Sequence, residues 1–286
     1  MYSPGAVAGI AIGCAIASAA IVSAVFLLVH RRLPNLKPVT LSPVPRAEGF
    51  LDHLPQGIGH KELRQEFSQL ETKIKTFVSN FFHDRPVHVG AVDTDRIHDV
   101  LGAADDNSSS QWSTQLCDTA HRGIMLRAYI ARVLWARVDS RGEAERSLLP
   151  VDVVRCYQAA LLRSHPPSLL EYWRAMTVSI LAAQYPRDRL AEADPRVDNI
   201  KRTVVDLLLV LQPFCTGGAE ERSERILEEA VTSFAVLGFK LFSHINTTEI
   251  VWPPSSVSQV AVFPALKQYR LGEGQRIVTI KEASLD

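Results

Sequence analysis

The longest apolar stretch of the chain covers residues 5–29, which contain no charged side chain. At about 1.5 Å per residue, a helix of this length reaches roughly 37 Å and can cross a hydrocarbon core of about 30 Å. A helix is also the single-span structure that satisfies its own backbone hydrogen bonds in lipid. We therefore predict an uncleaved transmembrane signal anchor over residues 1–32. A cleaved signal peptide and a buried core helix are alternatives, but no basic residue precedes the run and no small-residue cleavage site follows it.

The charges that flank this run predict its orientation. Arg31, Arg32 and Lys37 all lie on its C-terminal side. By the positive-inside rule, the N-terminus is outside or lumenal and the main domain is cytosolic. Two glycosylation sequons begin at Asn107 and Asn246, and they matter only in a lumenal domain. A glycan at either asparagine would reverse the predicted topology.

Small residues recur every four positions within the predicted span, at Gly5, Gly9, Gly13 and Ala17. This spacing places them on one helix face, where a second helix can approach closely. It predicts a homo-oligomer that forms through the membrane helix. The alternative is that glycine and alanine are simply common in such helices.

A proline-rich linker over residues 33–57 separates this span from the first amphipathic pattern, because proline favours an extended, semi-rigid chain. In residues 59–82, apolar side chains follow a 4-3-4-3-4 spacing, which predicts an amphipathic helix. These side chains are Leu63, Phe67, Leu70, Ile74, Phe77 and Phe81. A dimeric coiled coil is one interpretation, but three phenylalanines on the seam favour packing into an intramolecular core.

The remaining pattern predicts a mainly α fold: a single transmembrane helix and then a helical-bundle-like domain of about seven helices, with a small C-terminal β-hairpin, over residues 58–286. Six further helices follow the first, at residues 93–104, 112–138, 150–163, 168–185, 194–214 and 220–244. The short β-branched runs at 257–263 and 276–280 predict the hairpin, with 250–252 as a third strand.

The predicted helix 112–138 is apolar nearly all round, yet it carries an arginine at every fifth position: Arg122, Arg127, Arg132 and Arg137. A five-residue step moves around a helix of 3.6 residues per turn, so these side chains cannot share one solvent-facing strip. We expect at least one of them to be partly buried and paired with a carboxylate, because an unpaired buried charge is costly. The pair is either structural or part of an anion site.

Composition removes several classes of function. The formal net charge is zero, so bulk electrostatics give no support to nucleic-acid binding. Cys14, Cys117, Cys156 and Cys215 are widely spaced and form no C-x-x-C pair, which favours reduced thiols over a disulfide framework or a zinc site.

Two His-Asp dipeptides, His83-Asp84 and His98-Asp99, are the best candidates for catalysis. In a mostly helical protein they are similar to the metal-dependent HD phosphohydrolases, in which His and Asp side chains from several helices converge on divalent metal. Helix capping and surface position explain the same residues without catalysis. Because no nucleophile elbow, phosphate-binding loop or H-E-x-x-H motif occurs, we assign no catalytic, cofactor-binding or metal residue.

Residues 78–87 (VSNFFHDRPV) and 260–266 (VAVFPAL), taken with the anchor and linker, resemble helical proteins of filamentous ascomycete fungi. The resemblance extends over about residues 60–285, and its motifs are short. It implies an α-rich fold and a fungal source, and it carries over no catalytic residue.

The leading functional expectation is a membrane-anchored interaction or scaffold module that binds an unknown protein partner and uses no cofactor. Alternatives are an enzyme, most concretely an HD-like phosphohydrolase, and a domain that binds a hydrophobic small molecule between helices. A scaffold predicts a sizeable exposed apolar patch, and a small-molecule binder predicts an enclosed cavity of several hundred Å³. An HD-like enzyme requires the His-Asp residues to cluster.

Overall fold

Eight α-helices make up most of the chain that the computed structural model describes, so the fold is mainly helical, as predicted. The described residues are 58–102, 109–163, 167–186, 188–218, 220–244, 246–253, 260–269 and 277–286. The helices are α1 (His60–Phe81), α2 (Thr94–Leu101), α3 (Ser109–Cys117), α4 (Arg122–Val138), α5 (Val151–Leu161), α6 (Pro167–Ile180), α7 (Arg196–Leu211) and α8 (Glu220–Phe242).

The predicted anchor and proline-rich linker lie outside the described residues. The same holds for the glycine face, the topology residues and the first sequon, which comprise Gly5, Gly9, Gly13, Ala17, Arg31, Arg32, Lys37 and Asn107. None of the helices in the described part of the chain is both long and apolar enough to cross a bilayer.

The seam of α1 faces the interior of the domain, which confirms the intramolecular interpretation. All six seam residues are buried, and α1 packs against α4 and α8. The ring of Phe67 stacks on Trp135 of α4 at 4.9 Å between centroids, and it meets Phe263 edge to face at 5.0 Å. Such aromatic pairs are worth about 0.5–1.5 kcal/mol beyond the area they bury.

The polar side of α1 is tied to the C-terminal part of the chain. Nε of Arg64 donates to the carbonyl of Ile280 at 2.7 Å, and Glu71 pairs with Lys281 across 210 positions of sequence. In addition, Nζ of Lys240 in α8 lies 2.5 Å from a carboxylate oxygen of Glu66. The first helix of the domain is therefore held by the last helix and by the strands.

The prediction of one helix over residues 112–138 is wrong, because α3 ends at Cys117 and α4 begins at Arg122. Asp118 stabilises the break: one of its carboxylate oxygens accepts the N–H of Ala120 at 3.0 Å, and the other lies 2.8 Å from Nδ1 of His121. This local side-chain bonding competes with helix continuation. The described part of the domain thus contains eight α-helices where the pattern predicts about seven.

Two small sheets replace the predicted hairpin. In the first, β3 (Ala265–Tyr269) lies between β1 (Thr247–Val251) and β4 (Ile277–Lys281), and both pairings are antiparallel. In the second, β2 (Ala261–Phe263) pairs with β5 (Ser284–Leu285).

The third strand near residues 250–252 is confirmed, but the hairpin partner of β4 is β3 rather than residues 257–263. Pro264 separates β2 from β3 and has no N–H to donate, so it interrupts the ladder there.

Candidate ligand-binding cleft

A cleft of about 590 Å³ lies between α4, the loop that follows it, α5, α6, α8 and the strands β1 and β3. Its aromatic and aliphatic lining comprises Trp135, Val138, Tyr157, Leu241, Phe242, Ile250, Trp252 and Tyr269. Its charged lining comprises Arg132, Arg141, Arg174, Asp139 and Glu249. The volume lies within the range of about 300–1,000 Å³ that is typical of small-molecule sites.

Close contact between α4 and α8 forms one wall of the cleft. Gly238 of α8 and Val138 of α4 both line it. A Cβ atom at position 238 would lie 2.6 Å from Cγ1 of Val138, which is closer than van der Waals contact allows. The glycine is therefore needed for this helix packing, although glycine weakens a helix interior by about 1 kcal/mol relative to alanine.

Arg174 of α6 is the most unusual side chain in the cleft. Only 6% of its surface is exposed, and within the described chain its Nε and Nη2 atoms are buried with no hydrogen-bond partner. Burial lowers its pKa, against the opposing influence of Tyr157 and Glu171. Its guanidinium carbon lies 5.8 Å from the centre of the Phe242 ring.

Arg196 has acceptors at both atoms where Arg174 lacks them among the described residues, whereas Arg137 has one at Nη2 and none at Nε. Arg196 forms a two-point pair with Asp194, from Nε to Oδ1 at 2.9 Å and from Nη2 to Oδ2 at 2.7 Å. In Arg137, Nη2 donates to the carbonyl of Val100 at 3.1 Å and lies 3.8 Å from a carboxylate oxygen of Asp206.

Aromatic rings surround the charged groups of the cleft. Tyr157 meets Phe242 edge to face at 5.5 Å between centroids, and the guanidinium of Arg132 lies 4.5 Å from the centre of a Trp252 ring. Trp135 is buried, and its indole Nε1–H has no hydrogen-bond acceptor among the described residues. The lining thus offers flat apolar surfaces together with N–H donors that lack acceptors.

Two carboxylates in or near the cleft accept hydrogen bonds from hydroxyl groups. Glu249 accepts a hydrogen bond from the hydroxyl of Tyr269, which raises the pKa of that tyrosine. Glu171, one turn before Arg174 on α6, accepts a hydrogen bond from the hydroxyl of Thr247 in β1.

Three arginines and two carboxylates line the cleft, so its lining carries one net positive charge.

The His-Asp candidates do not form a metal centre. Nδ1 of His83 accepts the N–H of Arg85 at 3.1 Å, and Asp99 pairs with Arg146 at 2.7 Å. His98 and Asp84 are exposed, and no group of three or more metal-ligating side chains occurs among the described residues. The described residues therefore give the phosphohydrolase alternative no support.

The arginines of α4 confirm the prediction that at least one of them is partly buried and paired with a carboxylate. Arg137 is buried and pairs with Asp206, and Arg127 pairs with Asp286.

Arg122, only 1% exposed, uses carbonyl oxygens instead of a carboxylate. Its Nε donates to Leu116 at 2.9 Å and its Nη2 to Cys117 at 3.0 Å. Nη1 donates to His83 at 3.0 Å and to Arg85 at 2.6 Å.

The amino-acid sequence contains one indication that Arg174 is unusual. Leu170 and Val178, four positions to either side, lie on the same helix face, so the arginine interrupts an apolar stripe. The other cleft residues come from five further segments of the chain, and their convergence depends on tertiary packing.

None of the family models, curated proteins or solved structures compared with the chain matches it.

Proposed function

We propose that this chain is a membrane-tethered domain that binds a small molecule with an apolar body in the cleft between α4, α6, α8 and β1. The observation that carries the proposal is the cleft itself. It has a volume of about 590 Å³, and aromatic side chains line it beside buried N–H donors of Trp135 and Arg174 that have no acceptor in the described part of the chain. Ligand sites combine this kind of apolar surface with a few polar groups that fix orientation.

A cleft-filling substitution tests this binding. Thr248 lies in β1 and lines the cleft, so Thr248→Trp should occupy the space that a ligand would take. Thr72→Trp makes the same change on the exposed side of α1 and serves as the matched control. The probe is phenylbutyramide, a neutral molecule with one aromatic ring, and binding is measured by saturation-transfer NMR on the full-length chain in phosphatidylcholine nanodiscs.

We expect protein-dependent saturation transfer, measured above empty nanodiscs, in the unchanged chain and in Thr72→Trp, and its loss in Thr248→Trp. Two results would overturn the proposal: no transfer to the unchanged chain, or equal transfer in both tryptophan variants.

The membrane tether belongs to the same proposal. The apolar run at residues 5–29 and the basic residues Arg31, Arg32 and Lys37 support an N-terminus outside or in the lumen and a cytosolic domain. The chain should sediment with membranes after cell breakage and resist extraction by alkaline carbonate. Its Asn246 should carry no glycan. A freely soluble full-length product, or a glycan on that asparagine, would refute the tether or its orientation.

Self-association through Gly5, Gly9, Gly13 and Ala17 is a further element of the proposal, supported by their four-residue spacing. Gly9→Ile should lower the yield of chemically crosslinked dimer in membranes. The matched change Ala8→Ile, on another face of the predicted helix, should not.

A second candidate is the interaction module, and exposed apolar side chains at the C-terminal end of α5 and on α6 favour it. Leu162 is 90% exposed and Ile180 is 80% exposed, and Leu161 and Leu169 are also exposed. Large apolar groups in water support contact with an apolar protein surface. Proximity labelling with the full-length chain tests this: Leu162→Glu should remove a subset of labelled proteins, whereas Glu224→Lys, an exposed change on α8, should not.

A further inference from the structure

The geometry of a guanidinium indicates which anion would suit the buried Nε and Nη2 atoms of Arg174. Nε–H and Nη2–H point in parallel from one side of the group, which matches the two oxygens of a carboxylate. In Arg174 both donors are buried without an acceptor among the described residues. Burying a charged donor without a partner is costly, so a missing anion is the simplest explanation for a guanidinium in this position.

Another buried arginine of the same domain, Arg196, shows which group binds Nε and Nη2 when a partner is present. In Arg196 the identical atoms, Nε and Nη2, bind the two oxygens of Asp194, while the guanidinium lies 5.1 Å from the ring centre of Phe239. Arg174 lies against the ring of Phe242, on the next turn of α8. The two arginines therefore share an aromatic support on α8 and differ in the carboxylate: Asp194 binds Nε and Nη2 of Arg196, whereas no described residue binds these atoms of Arg174.

The charges that line the cleft indicate how many negative charges the bound anion carries. The lining carries one net positive charge, and the nearby carboxylate of Glu171 also acts on Arg174, so the cleft accommodates at most a single further negative charge. A doubly charged phosphate would also face the carboxylates of Asp139 and Glu249, which line the same space. Like charges at short range raise the free energy of the bound state, so a monoanion fits better.

We propose that the cleft binds a monocarboxylate with an apolar body and that Arg174 holds its carboxylate side-on through Nε and Nη2. This inference rests on the proposed small-molecule binding and names the class of ligand. The apolar body lies against Tyr157, Phe242 and Trp252. Nε and Nη2 are buried, so the groups that cover them move aside as the carboxylate binds.

A matched pair of probes tests the ligand class. Phenylbutyrate and phenylbutyramide have nearly the same shape and differ in the charge of one end. Calorimetric titration of the full-length chain in phosphatidylcholine nanodiscs should give a dissociation constant for the acid that is lower by about tenfold or more. A parallel titration with decanoate asks whether the carboxylate comes from a lipid-derived fatty acid or from a water-soluble aromatic acid, and the tighter binder identifies the source.

Variants of two cleft arginines assign the preference to one side chain. Arg174→Gln should reduce the difference between acid and amide to within about twofold, since it removes the charged donors. Arg174→Lys keeps the charge but lacks the parallel donors, so it should lose most of the preference even if the glutamine variant does not fold. Arg141→Gln removes an exposed arginine that also lines the cleft, and it should reduce the preference far less than Arg174→Gln does.

The outcomes separate the two proposals. Equal binding of phenylbutyrate and phenylbutyramide to the unchanged chain overturns the carboxylate inference and leaves small-molecule binding intact. A preference that persists in Arg174→Lys overturns the side-on role of Arg174. Absence of binding by any of the three probes overturns the proposed function, and the carboxylate inference with it.

Discussion

Arg122 offers the sharpest test of how this domain is held together. Its side chain joins three segments: the end of α3, the start of α4, and the turn after α1. Arg122→Met keeps an unbranched stem and removes every donor. The variant therefore leaves four carbonyl oxygens without this partner, at Leu116, Cys117, His83 and Arg85.

The size of the effect follows from the burial of those carbonyls. Residues His83 and Arg85 are partly or fully exposed, so their oxygens can regain water. Leu116 is fully buried and Cys117 is half-buried, and an unsatisfied buried acceptor costs about 1–3 kcal/mol. The buried carbonyl of Leu116, with a smaller cost at the part-buried carbonyl of Cys117, predicts a loss of about 3 kcal/mol in the free energy of unfolding.

The measurement is urea unfolding of the full-length chain in a nonionic detergent, followed by tryptophan fluorescence. Arg155→Met is the matched control, because Arg155 pairs with Glu145 where both side chains are more than half exposed. Its effect should stay within about 0.5 kcal/mol. A loss below about 1 kcal/mol in Arg122→Met would show that the carbonyl contacts do not stabilise the domain as we reason.

Three further predictions concern other buried contacts. Gly238→Ala should destabilise the domain by about 1–3 kcal/mol despite the higher helix propensity of alanine, because its Cβ would collide with Val138, and an unchanged urea midpoint would contradict this. Burial opposes ionisation of Asp194, but hydrogen bonds from its arginine partner and from backbone amides prevail, and its pKa is lowered. It therefore adds stability that is complete above the unfolded-state pKa of about 3.9 and is lost as pH falls below it, so Asp194→Asn should flatten the urea midpoint between about pH 4 and pH 2. Burial raises the pKa of Cys215 to about 11, so iodoacetamide at pH 8 should modify exposed Cys156 well before Cys215, as peptide mapping would show, and equal rates before unfolding would contradict the burial.

Local periodicity was enough to predict most helices of this domain. The seam of α1 is visible in the sequence because apolar side chains at helical spacing must face a common core. The break between α3 and α4 was missed because the surrounding residues remain apolar and helix-forming. What ends α3 is the bonding of Asp118 to the following turn and the donors of Arg122 at the last carbonyls, and neither has a periodic signature.

Strand pairing was harder to predict than strand position. Pairing of β1 with β3 joins Thr247 to Tyr269 and Val251 to Ala265, across a connection that includes the short strand β2. The observed hairpin, β3 with β4, does join neighbouring strands, but β2 before Pro264 pairs with β5 instead, and the spacing of the apolar runs does not indicate this. The arginine interruption in α6 was visible in the sequence, but the cleft around it was not, since its walls come from segments far apart in the chain.

The long-range ties of α1 have a consequence for synthesis of the chain. Glu71 and Lys281 are 210 residues apart, so α1 leaves the ribosome long before its partners exist. At about 5–20 residues per second, the interval is about 10–40 s, during which its apolar seam has neither α8 nor the sheet to cover it. The nascent chain should therefore depend on chaperones in that interval, and premature release before β4 should yield products that aggregate.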